Sequence, residues 1–93
     1  MKDIGRMGVW FFPDALSTQG IVELAQGAER LGYDALWYPE AVGFETFSFA
    51  GFVLSETDKL RVASGIANIY ARDAVTAMAG HNSLNSLYDD RFI

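Results

Sequence analysis

Polar side chains follow the short apolar runs of this chain, and Glu40 is the one best placed for chemistry. It comes directly after the stretch YDALWYP, which ends at Pro39. A carboxylate in this position can bind a ligand hydroxyl, or act as a general base if its pKa is raised. Alternatively, Glu40 is a loop carboxylate that caps the following helix. We predict Glu40 as the candidate catalytic residue.

A second candidate region is the stretch SGIANIYARDAVTAM, residues 64–78. Gly65 interrupts an apolar run, which indicates either a bulge that approaches a ligand or a close contact with a helix. Asn68 can offer its amide to a ligand or cap a local turn. Arg72 can hold a phosphate at a helix N-terminus, or form a surface ion pair beside Asp73.

Aromatic side chains at the ends of the first two runs are candidates for a substrate pocket. We predict that Trp10, Phe12 and Tyr38 line it, although these residues and Trp37 suit a barrel core equally well. No glycine-rich phosphate loop and no convincing Ser-His-Asp set is present. His81 falls in the middle of a predicted helix, where a surface or interface role is expected.

The elements that must position these residues alternate between strand and helix. The apolar runs 6–12, 33–40 and 60–69 predict strands, and RFI at 91–93 predicts the start of a fourth. The first predicted helix starts at an N-cap of Ser17 or Thr18 and stops at Gly32. The second covers residues 46–55, and the third starts at an N-cap of Asp73. Val75, Met78, Ala79, Leu84, Leu87 and Tyr88 are the predicted apolar face of the last helix. This order predicts an α/β fold of parallel βα units.

The number of units predicts part of a barrel. Three βα units are roughly a third of a TIM (β/α)8 barrel of about 250 residues, so we predict one partial domain over residues 1–93, from the N-terminal part of such a barrel. Function in these barrels lies at the C-terminal ends of the strands. Exposed strand edges favour pairing with another copy, so a homo-oligomer is expected.

Composition excludes several classes of protein. The 93 residues carry a net charge of −5 with no cysteine and one histidine. Nucleic acid binding is not expected of an acidic chain whose basic residues are spread singly, and neither a Cys-type nor a His-type metal site is expected. No apolar stretch is long enough to span a membrane, and no signal peptide is recognisable. We therefore expect a cytoplasmic protein that acts on a small molecule.

Four stretches together carry a resemblance to a known family. GVWFF, AERLGYDALWYPEAVGFETF, VASGIANIYARDAVTAMAG and LYDDRFI resemble the N-terminal third of luciferase-like monooxygenases, and look most similar to the oxidoreductases that use coenzyme F420, a deazaflavin. The resemblance implies a TIM barrel with a flavin or deazaflavin across the C-terminal strand ends. It also implies a bulge in the third strand, commonly with a non-prolyl cis peptide, that supports the flat ring. Here that bulge would fall within Ala63, Ser64, Gly65 and Ile66, with Asn68 at its rim.

The resemblance also implies a reaction. The parent protein would transfer a hydride between coenzyme F420 and an unknown organic substrate, with Trp10 and Phe12 walling the pocket. The family often has an acidic residue followed by His after the second strand, and this chain has Glu40 but Ala41. The alternatives are an FMN-dependent luciferase-like monooxygenase and a non-catalytic barrel fragment that self-associates. The 93-residue chain alone is expected to bind cofactor poorly.

Overall fold

The computed structural model describes residues 4–93, and its centre is a parallel sheet of three strands. The strands are β1 (Gly8–Trp10), β2 (Ala35–Tyr38) and β3 (Arg61–Ser64). They lie side by side in chain order, with Trp10 opposite Trp37 and Trp37 opposite Ala63. The predicted α/β class of parallel βα units is therefore confirmed, although residues 1–3 of the predicted domain lie outside the described part.

Three α-helices follow the strands: α1 (Thr18–Arg30), α2 (Thr46–Ser55) and α3 (Ala74–Leu87). A short 3-10 turn, Pro13–Ala15, precedes α1. Each α-helix begins at a side chain that accepts a hydrogen bond from a free backbone N–H of the first turn, which is the usual function of an N-cap. The caps are Ser17, Glu45 and Asp73. After α1, Gly32 has a φ of 89°, a conformation that glycine adopts without steric cost.

All three helices pack on the same face of the sheet. Leu36, Tyr38 and Val62 from the strands share one buried cluster with side chains of every helix. The helical members are Ile21, Ala25, Phe49, Ala50, Val53, Leu54 and Leu84. Helices on one face with strands in chain order form a wedge of a βα barrel, since a doubly wound sheet carries helices on both faces.

The opposite face of the sheet carries Trp10 and Trp37. Successive side chains of a strand point to opposite faces, so these residues alternate with Val9, Leu36 and Tyr38, which face the helices. Trp10 is 59% exposed. In a closed barrel, this face would be the interior.

The elements differ from the predictions at their ends. The first and third strands are shorter than residues 6–12 and 60–69, because the chain leaves the sheet after Trp10 and after Ser64. The predicted fourth strand is present as a parallel bridge between Phe92 and Val62. The predicted apolar face of α3 is wrong in part: Leu84 is its only buried residue, since α3 contacts α2 along one narrow side.

Candidate functional site

The loops that follow β2 and β3 meet at the C-terminal edge of the sheet. We call residues 65–68, which directly follow β3, the exit segment. Residues of β1 and β2 hold both backbone polar groups of Gly65, the first residue of this segment. The N–H of Gly65 donates to the carbonyl of Tyr38 at 2.6 Å. The indole Nε1–H of Trp10 donates to the Gly65 carbonyl at 3.1 Å. The Gly65–Ile66 peptide bond is cis, at the place where the resemblance implied one.

The space beside the first residue of the exit segment is limited, which suits a glycine. A Cβ at residue 65 would lie 3.3 Å from the ring of Trp37 and 3.9 Å from that of Trp10. Both indole rings therefore lie close to the Gly65 backbone. The bulge interpretation of Gly65 fits this arrangement better than a contact with a helix, since both neighbours are strand residues on the face away from the helices.

Glu40 binds the exit segment from both sides of Ala67. Its backbone N–H donates to the carbonyl of Ile66 at 3.0 Å, and its Oε1 accepts from the N–H of Asn68 at 2.8 Å. Its other oxygen, Oε2, accepts from the N–H of Thr46 at the start of α2, also at 2.8 Å. The carboxylate thus connects the exit segment to the next helix of the wedge.

Arg72 pairs with the same carboxylate in a two-pronged arrangement. Its NH1 donates to Oε1 of Glu40 at 3.1 Å and its NH2 donates to Oε2. NH2 also lies 3.2 Å from the carboxylate of Glu45, and the guanidinium stands 5.4 Å from the ring centre of Phe47. The side chains of Arg72 and Glu40 are only 12% and 5% exposed. Arg72 does form ion pairs, but with Glu40 and Glu45 and at a largely buried position, whereas the sequence suggested a surface pair.

These contacts determine the protonation of Glu40. Burial of its side chain disfavours the charged form, but the hydrogen bonds from Arg72, Asn68 and Thr46 outweigh burial and lower the pKa of Glu40. Glu40 in turn raises the pKa of Arg72. The general-base role was predicted for a raised pKa, whereas these contacts favour the ionised carboxylate. The helix-cap alternative is nearer to the structure, since Glu40 accepts from the first residue of α2.

The predicted ring-binding residues lie together, but they differ in accessibility. Ala63 is fully buried in β3, Ser64 is half-buried, and the side chain of Ile66 is 76% exposed. Asn68 is exposed, and its Oδ1 accepts from the N–H of Tyr70 at 2.9 Å. The turn-capping alternative for Asn68 is therefore observed.

The predicted pocket residues divide into two groups. Trp10 and Phe12 are exposed, at 59% and 44%. Tyr38 is 1% exposed, and its hydroxyl donates to the carbonyl of Thr46 at 2.6 Å and contacts Oγ1 of the same residue. Burial raises the pKa of Tyr38. Its side chain belongs to the core between β2 and α2, and we do not retain it as a pocket residue.

Sequence reasoning missed the residues that support the site from α2. Thr46 is fully buried, and Glu45 both caps α2 and contacts Arg72. The acidic residue ahead of an apolar run in GFETFSF was a local signal for the cap. No local signal indicated the contact between Glu45 and Arg72, which are 27 positions apart.

The chain forms a wedge of a βα barrel, with parallel strands in chain order and helices on one face. A candidate site lies at the C-terminal edge of its sheet, where polar residues follow the strands. The family model of luciferase-like monooxygenases matches residues 6–93. The chain belongs to the luciferase-like monooxygenase family. No curated protein matches the sequence at a significant level.

A solved structure with the same fold is the coenzyme F420-dependent tetrahydromethanopterin reductase from Methanopyrus kandleri. It is 22% identical to this chain and superposes with a TM-score of 0.83 over 94% of it. The chain covers 25% of the length of that reductase. At this identity, the similarity concerns the fold. None of the helices within residues 4–93 is long and apolar enough to cross a membrane.

Proposed function

We propose that this chain forms the first part of a ring-binding site in an oxidoreductase that transfers a hydride between coenzyme F420 and an organic substrate. The proposal rests on the surface found at the C-terminal edge of the sheet. There the exit segment, Trp10 and Trp37 form a largely apolar surface beside the strand ends. Membership of the luciferase-like family and the fold of an F420-dependent reductase support the same assignment.

The residues present fit a flat, uncharged ring better than a phosphate. Trp10 and Trp37 offer planar surfaces, and the missing side chain of Gly65 keeps the backbone open beside them. Arg72 is not available as a phosphate ligand, because Glu40 and Glu45 already neutralise it. Residues outside this chain would have to hold the anionic groups. The deazaflavin supplies the hydride chemistry when bound, whereas the protein binds and orients it.

FMN is the alternative ring, since the contacts described here concern a tricyclic surface that both cofactors share. An F420-dependent reductase among the similar folds favours the deazaflavin. The two are distinguished by titrating each cofactor into the 93-residue chain and into a chain extended to a complete barrel. We expect tight F420 binding by the extended chain alone. Tight binding of FMN instead would support the monooxygenase alternative, and binding of neither would remove the cofactor assignment.

A second candidate is a non-catalytic fragment that self-associates. The uncovered face with Trp10 at 59% exposure favours it, because a large exposed apolar surface commonly mediates association. Sedimentation of the 93-residue chain over a range of concentrations tests this candidate. A concentration-dependent dimer that Trp10→Ser abolishes would support it, and a monomer at every concentration would exclude it.

A further inference from the structure

The Glu40 carboxylate is saturated with hydrogen bonds. Four donors reach its two oxygens: the backbone N–H groups of Thr46 and Asn68, and both terminal nitrogens of Arg72. Two carboxylate oxygens offer about four acceptor positions. A reacting group would have to displace one of these donors before Glu40 could take a proton from it. The geometry is that of a fixed structural support.

What Glu40 supports is the exit segment. Its backbone N–H holds the carbonyl of Ile66 and its side chain holds the N–H of Asn68, so the peptide groups on both sides of Ala67 are bound by one residue. Trp10 and Tyr38 hold the two preceding peptide groups, through the carbonyl and the N–H of Gly65 respectively. The exit segment is therefore fixed at four backbone atoms, although the Ile66 and Asn68 side chains are exposed.

Arg72 connects this support to the N-termini of α2 and α3. It directly precedes Asp73, which caps α3, and it contacts Glu45, which caps α2. A bidentate pair between a guanidinium and a carboxylate is more directional than a pair with an ammonium. Removal of charge at Glu40 would leave Arg72 with the more exposed Glu45 as its partner.

We propose that Glu40 is a positioning residue, which holds the exit segment in the shape that receives the cofactor ring, and that Arg72 keeps Glu40 in place. This inference rests on the proposed function, because that function supplies the cofactor ring as the ligand. It assigns Glu40 a different role from the catalytic one that its position in the sequence suggested. It predicts that loss of the Glu40 charge alters ring binding through the shape of residues 65–68, without loss of any group that touches the reacting atoms.

The chain offers a matched control at the other end of β3. Glu29 accepts from the N–H groups of Asp58, Lys59 and Leu60, so it holds the segment that enters β3 as Glu40 holds the segment that leaves it. Burial opposes ionisation of Glu29, but these three N–H groups lower the pKa of Glu29 overall, as at Glu40. Glu29→Gln and Glu40→Gln therefore both remove the charge of a carboxylate that accepts from backbone N–H groups, at opposite ends of the same strand. Glu40→Gln in addition weakens the ion pair with Arg72.

The test compares both variants in the chain extended to a complete barrel. Cofactor affinity and the absorption and circular dichroism spectra of bound F420 are measured together with urea unfolding. We expect both variants to lower stability. Only Glu40→Gln should weaken F420 binding, by about ten- to a hundredfold, as befits lost hydrogen bonds to a charged group, and change the spectrum of the bound ring. Equal affinity and identical spectra for Glu40→Gln and the wild type would overturn the proposal.

Amide hydrogen exchange separates failure of this inference from failure of the proposed function. If the wild-type extended chain binds neither F420 nor FMN, the proposed function fails. Whether Glu40 fixes the exit segment is then tested by the rate of hydrogen exchange at the backbone amide of Asn68. Faster exchange there in Glu40→Gln, with no change in Glu29→Gln, would support Glu40 as the residue that fixes the exit segment. Unchanged exchange in Glu40→Gln would contradict it.

Discussion

The contact between α2 and α3 can be tested with two glycines that should respond in opposite directions to the same substitution. Gly51 lies within α2 and Gly80 within α3. Replacement of a helical glycine by alanine stabilises a helix interior by about 1 kcal/mol, because alanine loses less backbone entropy on folding. This term is the same at both positions, so a difference between them reports on packing.

The space around the two glycines differs. A Cβ at residue 51 would meet only Leu84, at an ordinary contact distance of 3.5 Å. A Cβ at residue 80 would lie 2.8 Å from two ring atoms of Phe47, one of them the ring carbon nearest the backbone. Phe47 has little freedom to move away, because its ring also packs against Phe92 at 5.7 Å between centroids. Overpacking of this kind costs about 1–3 kcal/mol.

We therefore expect Gly51→Ala to raise the free energy of unfolding by about 1 kcal/mol, and Gly80→Ala to lower it by up to about 2 kcal/mol once its helix gain is subtracted from the overpacking cost. Urea unfolding followed by circular dichroism measures both. Gly27→Ala in α1 is a further control, because its Cβ would meet only the end of Arg30, at 3.7 Å. Equal stabilisation by Gly51→Ala and Gly80→Ala would refute the packing of Phe47 against α3.

Two further predictions concern polar groups that the fold buries fully or in part. Tyr38→Phe should lower the free energy of unfolding by about 1–2 kcal/mol, because the buried hydroxyl donates to the Thr46 carbonyl; urea unfolding that matches the wild type would contradict the core placement of Tyr38. Stability should also fall as the pH is lowered from about 7 to about 3. Glu29 and Glu40 have a folded-state pKa below the usual value, so their contribution is present above the unfolded pKa and is lost as the pH falls through the folded one. The midpoint of urea unfolding, measured as a function of pH, tests this loss of stability. Glu29→Gln should reduce the dependence of the midpoint on pH. A wild-type midpoint that does not change with pH would contradict the prediction.

Local sequence signals predicted the elements and most of the helix caps. Residues 46–55 form α2 as predicted, and Asp73 caps α3 as predicted, because an acidic or hydroxyl residue before a helical stretch marks its first turn. Strand ends were less well predicted. The apolar residues Ile66 and Ile69 extend the pattern of β3 beyond Ser64, but they are 76% and 77% exposed in the following loop. Apolar composition alone does not distinguish a buried strand from an exposed apolar loop.

The chemistry of the candidate site was harder to predict than its location. Glu40, Gly65 and Asn68 do meet at one edge, as expected for residues that follow parallel strands. The contacts of the Glu40 carboxylate involve Arg72, which is 32 positions away, and backbone N–H groups that only the folded chain brings to it. Tyr38 and Trp37 are neighbours in sequence, but they face opposite sides of the sheet, and the alternation decided which of them joined the core.

We propose that the exit segment, Trp10 and Trp37 receive the cofactor ring. The most direct measurement is a two-dimensional NMR titration of F420 into the chain extended to a complete barrel. A stacked aromatic ring should shift the indole N–H resonance of Trp10 and the backbone amide of Asn68, while the amides of Asp58 and Leu60 at the other end of β3 should not move. Shifts confined to that other end, or saturable binding that leaves Trp10 and Asn68 unchanged, would contradict the account.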